Sequence, residues 1–112
     1  MLEATLARRR RLLEPEILYY AIPFEYTVAP DARTEFESVY GPDGQWARFF
    51  GTDEHYVETT LERVGEGEYV VTDHWRSRAD YERFLEHNAA RYEALSRAAA
   101  RLYESERRPP PT

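Results

Sequence analysis

Two residue types are missing from this 112-residue chain, and each absence closes off a class of chemistry. Without cysteine there is no disulfide, no thiolate nucleophile and no Cys-ligated zinc or iron–sulfur cluster. Without lysine all fifteen positive charges are Arg, so Schiff-base and pyridoxal chemistry have no side-chain amine to use. Histidine is scarce: His55, His74 and His87 are too scattered to read as a metal triad. No apolar run approaches the ~18 residues of a membrane span. The opening stretch MLEATLARRRRLLEPE lacks the apolar core of a secretory signal, so the expected compartment is cytoplasmic. There is no G-x-G-x-x-G, P-loop or G-x-S-x-G, which leaves nucleotide and serine-hydrolase chemistry without support. The expectation is no metal and no cofactor.

The net charge of −6 is unevenly spread. Arg8 to Arg11 crowd one end, and the rest of the chain is strongly acidic. An acidic body argues against a nucleic-acid partner, and the Arg run reads as a solvated terminus. Aromatics, by contrast, are plentiful: nine Tyr, five Phe and two Trp, too many for a disordered chain. A chain of this length buries roughly two-thirds of its unfolded surface, enough for one real core.

Residues 1–16 read as a basic extension, with a short helix over 1–14 ended by Pro15. Residues 17–106 read as the domain and 107–112 as a flexible tail. Over 17–28 the alternation places Leu18, Tyr20, Ile22, Phe24, Tyr26 and Val28 on one strand face. Pro23 cannot donate to a ladder, so the strand is kinked, bulged or at an edge there. Asp31 is placed to cap a helix carrying Phe36, Val39 and Tyr40, and Asp43 to cap a second one carrying Trp46, Phe49 and Phe50. Strands over 55–64 and 68–76 are joined by Gly65-Glu66-Gly67, a hairpin signal. Ser77 and Asp80 open a long final helix whose stripe runs Tyr81, Phe84, Leu85, Asn88, Tyr92, Leu95, Ala99 and Leu102.

This order gives a ferredoxin-like α+β unit, β-α-β-β-α. Both strand faces carry apolar residues, and the helices suffice to cover one. The uncovered face calls for a second sheet, most simply its own copy, so a homodimer is expected.

An ordered set of residues also resembles a known family. It comprises Tyr26-Thr27-Val28-Ala29-Pro30, then Glu35-Phe36, then Tyr40-Gly41-Pro42-Asp43-Gly44-x-Trp46, then Asp73-x-Trp75-x-Ser77 followed by Tyr81 and Phe84. Over about residues 17–105 the chain resembles the antibiotic-biosynthesis-monooxygenase-like proteins of the dimeric α+β barrel superfamily. The resemblance implies a homodimer whose two sheets close into a barrel, with a pocket between sheet and helices in each subunit. Relatives include cofactor-independent oxygenases of phenolic polyketides, haem degraders, cyclases and isomerases. Family members usually have a fourth strand after the long helix, and RRPPPT supplies no obvious one.

The candidate catalytic residues are Asp73, Trp75 and Asn88. Asp73 and Trp75 share a strand face with Tyr69 and Val71, where desolvation among aromatics raises a carboxyl pKa and suits it as a general base. The bland alternative is a structural Asp, and for Trp75 a core position. Asn88, the single Asn, lies mid-stripe, where a buried amide needs a partner, a water or a ligand. Tyr20, Phe24, Tyr26, Trp46, Phe50, Tyr56 and Tyr92, with His87 on the helix flank, form the candidate substrate-binding set; the alternative is plain core. An Asn at the stripe centre counts against haem. His74, on the opposite strand face, is expected at the dimer interface.

Taken with these residues, the resemblance implies a small cofactor-independent tailoring enzyme of oxygenase type. Its substrate is expected to be a small aromatic or polyketide-like molecule, deprotonated by Asp73 or a Tyr. A cyclase or isomerase using the same pocket, and a non-catalytic dimeric binding module, are the rival readings.

Overall fold

The structure is a computed structural model and describes residues 19–109. The expected basic helix over 1–14, and Ile17 and Leu18 of the expected first strand, lie outside the described residues. Strand β1 spans Tyr20–Thr27. A 3₁₀ turn at Pro30–Ala32 leads into α1, Arg33–Tyr40, and α2 follows at Gln45–Phe50. Strands β2, Tyr56–Gly65, and β3, Glu68–Trp75, form the hairpin. Helices α3, Arg78–His87, and α4, Ala89–Ala99, precede a 3₁₀ turn at Ala100–Leu102 and strand β4, Ser105–Arg107. The sheet is antiparallel, in the order β2-β3-β1-β4. This is the α+β, ferredoxin-like architecture expected from the element order.

Register explains which side chains meet. Ile22, Asp73 and Thr59 form one cross-strand row on the helix-covered face, and Tyr20, Trp75 and Tyr56 form the next. The helices press Phe36, Phe50, Tyr81 and Phe84 onto these rows, and Trp75 is fully buried beneath them. Its ring meets Phe50, Tyr56 and Tyr81 edge-on at 5.6, 5.5 and 5.7 Å. Such tilted contacts are the geometry aromatic quadrupoles favour. At the hairpin, Gly67 has φ 71°, and a Cβ there would stand 2.7 Å from the Val28 carbonyl oxygen. The residue therefore has to be Gly.

Several expectations are corrected. A fourth strand exists: Glu25, Tyr26 and Thr27 pair with Arg107, Glu106 and Ser105. The three β4 residues are all exposed, so no apolar alternation marked them. The expected boundary between domain and tail falls inside this strand. Beyond Glu25, β1 has no second neighbour among the described residues, so Pro23 sits on a free edge, one of the three expected solutions. Neither Asp31 nor Asp43 caps a helix. Ala32 and Gly44 hold the N-cap positions without side-chain bonds, and the first N–H groups are satisfied by turns such as Ala32 N–H to Ala29 O at 3.0 Å. Ser77 does cap α3, accepting from the Asp80 N–H at 3.1 Å.

The long final helix is broken at Asn88, whose φ of −124° and ψ of 26° are not helical. Asn88 sits at the C-terminal end of α3, and both its backbone N–H and its Nδ2 donate to the Phe84 carbonyl, at 3.0 and 2.9 Å. The uncovered sheet face is also less apolar than the alternation suggested. Its rows read Ala21-His74-Glu58, Pro23-Thr72-Thr60 and Glu25-Val70-Glu62.

Candidate active site

Asp73 occupies the middle of β3 on the face beneath the helices, 7% exposed. Thr59, directly opposite on β2 and 1% exposed, donates its hydroxyl proton to Asp73 Oδ1 at 2.7 Å. Among the described residues no hydrogen bond engages Oδ2. Burial pushes the Asp73 carboxyl up to about 6, with the Thr59 hydrogen bond pulling the other way. A carboxylate in this position changes charge close to neutrality, as a general base requires.

A small cavity of about 30 Å³ lies against Asp73. Phe24, Tyr26, Tyr40, Trp46, Phe50 and Tyr92 supply its aromatic wall, and Tyr81, Val71, Ser96 and Glu106 complete it. None of these lining residues is cationic. Burial raises the pKa of Tyr26, Tyr40, Tyr81 and Tyr92 above the ordinary phenol value, so at neutral pH all four are donors. Tyr26 gives its proton to Glu106 Oε2 at 2.6 Å, which occupies the second carboxylate of the wall. Of the ionisable groups in this wall, Asp73 is the one whose raised value, about 6, lies near neutrality.

One wall group lacks a partner. The Trp46 indole N–H is buried and reaches no acceptor. It lies near enough to the Tyr40 hydroxyl to oppose that phenol's raised pKa, yet outside hydrogen-bond geometry. The Trp75 N–H is likewise buried and unpaired. An unsatisfied buried donor costs about 1–3 kcal/mol, and a ligand oxygen is one way to recover it. A far larger open groove, about 710 Å³, runs along the hairpin end of the sheet beside Glu25, Val64, Glu68 and Arg107. Its Arg107–Glu25 ion pair is exposed, and no buried titratable side chain borders it except Tyr26 and Tyr69. The buried carboxylate and the unpaired donor of the smaller cavity are the stronger chemical signal.

The structure gathers Asp73, Phe24, Tyr26, Trp46, Phe50 and Tyr92 around one cavity and leaves the other candidates outside it. Trp75 is a core residue behind Phe50. Tyr20 lies beside Tyr81 and accepts a hydrogen bond from Arg108 at 3.1 Å. Tyr56 packs on Trp75 and reaches Thr59. Two placements are corrected. Asn88 does not polarise the cavity, because its amide is turned back onto its own helix, and His87 is exposed on the surface. Glu106 was missed because nothing in the sequence signalled β4. Ser96 was legible, one helical turn after Tyr92 on the same face.

Among the described residues no group of three or more His, Asp or Glu is arranged to hold a metal, and no helix is long and apolar enough to cross a membrane. The sequence matches no protein-family profile and no curated protein. Among solved structures, the chain is similar to a mutant of SnoaB, a cofactor-independent oxygenase from Streptomyces nogalater. The two share 24% identity and a TM-score of 0.59, over 82% of this chain and 93% of that one. At this identity the likeness shows the fold.

Proposed function

We propose that the chain is a small tailoring enzyme of oxygenase type that acts on an aromatic or polyketide-like substrate without a cofactor. The observation that carries this reading is the buried Asp73 carboxylate, titrating near neutrality, in an aromatic cavity that also holds the unpaired Trp46 N–H. Asp73 Oδ2 takes a proton from a phenolic or acidic C–H group, and the electron pair stays on the substrate. The anion's oxygen accepts from the Trp46 N–H, which stabilises charge as it develops. The electron-rich carbon then adds O2, the resulting peroxide anion takes a proton from water in place of the one removed by Asp73, and the hydroperoxide loses water to leave a carbonyl. The fold likeness to a cofactor-independent oxygenase supports this choice among the chemistries the cavity allows.

The cavity holds about one or two waters as it stands. Substrate entry therefore requires a wall to move. Strand β4, three exposed residues paired with β1, forms the Glu106 side of that wall. The active form in this proposal is a homodimer joined through the uncovered sheet face.

A second reading, a non-catalytic dimeric binding module, is favoured by the small cavity and by the internally satisfied Asn88. Oxygen consumption over a panel of phenols and anthrone-like ketones, with metal chelated, separates the two. Consumption that disappears in Asp73→Asn supports the oxygenase. Conversion of the substrate without O2 uptake points to a cyclase or isomerase, and no conversion across the panel points to the binding module.

A further inference from the structure

Asp73 is not an isolated carboxylate, because a run of hydroxyls leads away from it through β2. Thr59 Oγ1 donates to Asp73 Oδ1 at 2.7 Å, and the Tyr56 hydroxyl lies 2.6 Å from the same Thr59 oxygen. Thr59 has one hydroxyl proton, and the carboxylate holds it, so Tyr56 is the donor in the second contact. The bonds therefore run in one direction, from Tyr56 to Thr59 to Asp73. Among the described residues strand β2 is the outer strand of the sheet on that side, and Tyr56 is half-buried there.

Regular strand geometry would not build this run. Residues three apart in a strand face opposite ways. Here the register shifts between Tyr56 and Glu58: Tyr56 pairs with Trp75 and Glu58 with His74, leaving Val57 as an extra residue. That bulge turns Tyr56 onto the same covered face as Thr59. The Tyr56 ring then packs on Trp75 and Phe50, at 5.5 and 5.9 Å, work that a Phe would do equally well. Only the hydroxyl distinguishes Tyr at this place.

We infer that Thr59 and Tyr56 form a proton relay that carries the proton taken up by Asp73 to the outer edge of the sheet. The inference rests on the reading of Asp73 as the base. At rest both hydroxyl protons point inward, so the carboxyl proton first comes to Oδ1 and both hydroxyls turn outward. Asp73 then hands its proton to Thr59 Oγ1, Thr59 passes the one it held to the Tyr56 oxygen, and Tyr56 releases its own to water. After these transfers both hydroxyls again point toward Asp73, as at the start. No heavy-atom bond changes and no oxidant is consumed in these steps. The other ionisable groups bearing on Asp73 are Tyr26 on β1, Tyr81 on α3 and Tyr92 on α4, with Glu106 of β4 on the same cavity; none is a cation. With the tyrosines held as neutral donors, the cavity itself offers the proton no cationic carrier.

The test uses the full chain and does not depend on finding the substrate. The Thr59 hydroxyl proton, buried and held by a carboxylate, is followed by NMR, together with the Asp73 carboxyl carbon. In Tyr56→Phe, exchange of that hydroxyl proton with water slows by about tenfold or more, while the aromatic packing and melting temperature stay near those of the parent. In Thr59→Val the Asp73 midpoint moves up, and Thr59→Ser returns it. Unchanged exchange in Tyr56→Phe overturns the relay, and so does an unchanged Asp73 midpoint in Thr59→Val. With an O2-consuming substrate in hand, Tyr56→Phe lowers kcat about tenfold with KM unchanged, within the range of general acid–base effects. Slowed exchange in a protein that turns over no substrate leaves the relay standing and removes the oxygenase reading instead.

Discussion

The Tyr26 hydroxyl donates to the Glu106 carboxylate at 2.6 Å across eighty residues of sequence, tying the last strand to the first. Tyr26 also packs on Phe36, Tyr40 and Tyr103 at 5.1, 5.0 and 5.1 Å, so one side chain serves the core, the cavity wall and the β4 edge. Removing the hydroxyl while keeping the ring isolates the last of these roles. Tyr26→Phe is expected to cost about 1–2 kcal/mol, as for a part-buried bond to a charged acceptor. Amide exchange should quicken at Ser105 to Arg107 and stay unchanged along the β2–β3 hairpin. Equal protection of β4 in both proteins would show that the bond does not hold the strand.

Asp73 gives the fold a pH dependence of known sign. Its folded pKa of about 6 lies above its ordinary value of 3.8, so the native state binds the extra proton between those values. Stability is then highest below about 4, falls as pH rises toward 6, and levels off above that. Asp73→Asn lacks this decline. It should match the parent at pH 4 and exceed it at pH 8 by about 3 kcal/mol, read from paired melting curves. In the parent, the rate on a phenolic substrate should rise with pH through an apparent pKa near 6, the form in which the base is free.

Trp46→Phe separates a donor from a ring. The indole N–H has no acceptor, so its removal relieves an unsatisfied buried group and should change stability by no more than about 1 kcal/mol. Under the proposed mechanism the same change lowers kcat at least about tenfold, because an oxyanion donor is lost. Full turnover in Trp46→Phe would assign that N–H no part in the reaction.

Asn88→Ala removes the bond from Nδ2 to the Phe84 carbonyl at the break between α3 and α4. A loss of about 1 kcal/mol is expected. Turnover at saturating substrate should be unchanged, since the amide does not line the cavity. A large fall in kcat with normal melting would return Asn88 to the site.

The dimer proposal rests on a sheet face that no helix among the described residues covers, with Pro23, Thr72 and Thr60 along its middle row. Light scattering at micromolar concentration should give twice the chain mass. Thr72→Arg, at the centre of that face, should give the single-chain mass with the fold retained. A monomeric parent would refute the proposal.

The pairing of sheet and helices was legible because burial enforces period. Tyr20, Ile22, Phe24 and Tyr26 alternate, and Tyr81, Phe84, Tyr92, Ala99 and Leu102 recur at helical spacing, so each element announced the face it buries. The Ser77 cap and the Gly65-Glu66-Gly67 turn were legible for a different reason: each needs a specific residue type at a specific place. Strand β4 was not, since three exposed polar residues carry no hydrophobic pattern and become a strand only by pairing with Glu25–Thr27.

For the site, the division follows the same physics. Local sequence determined that Asp73 would face the aromatic core, because alternation along one strand is a covalent property of the chain. It also determined that Trp46, Phe50 and Tyr92 would lie on buried helical faces. It did not determine which groups would meet. The turning of Asn88 onto Phe84 required a helix break that periodicity had read straight through. The arrival of Glu106 beside Tyr26 required closure of a long loop of chain. The placing of Tyr56 beside Thr59 required a bulge in the pairing of β2 with β3, and register between strands is set by packing across the sheet rather than by either strand's own sequence.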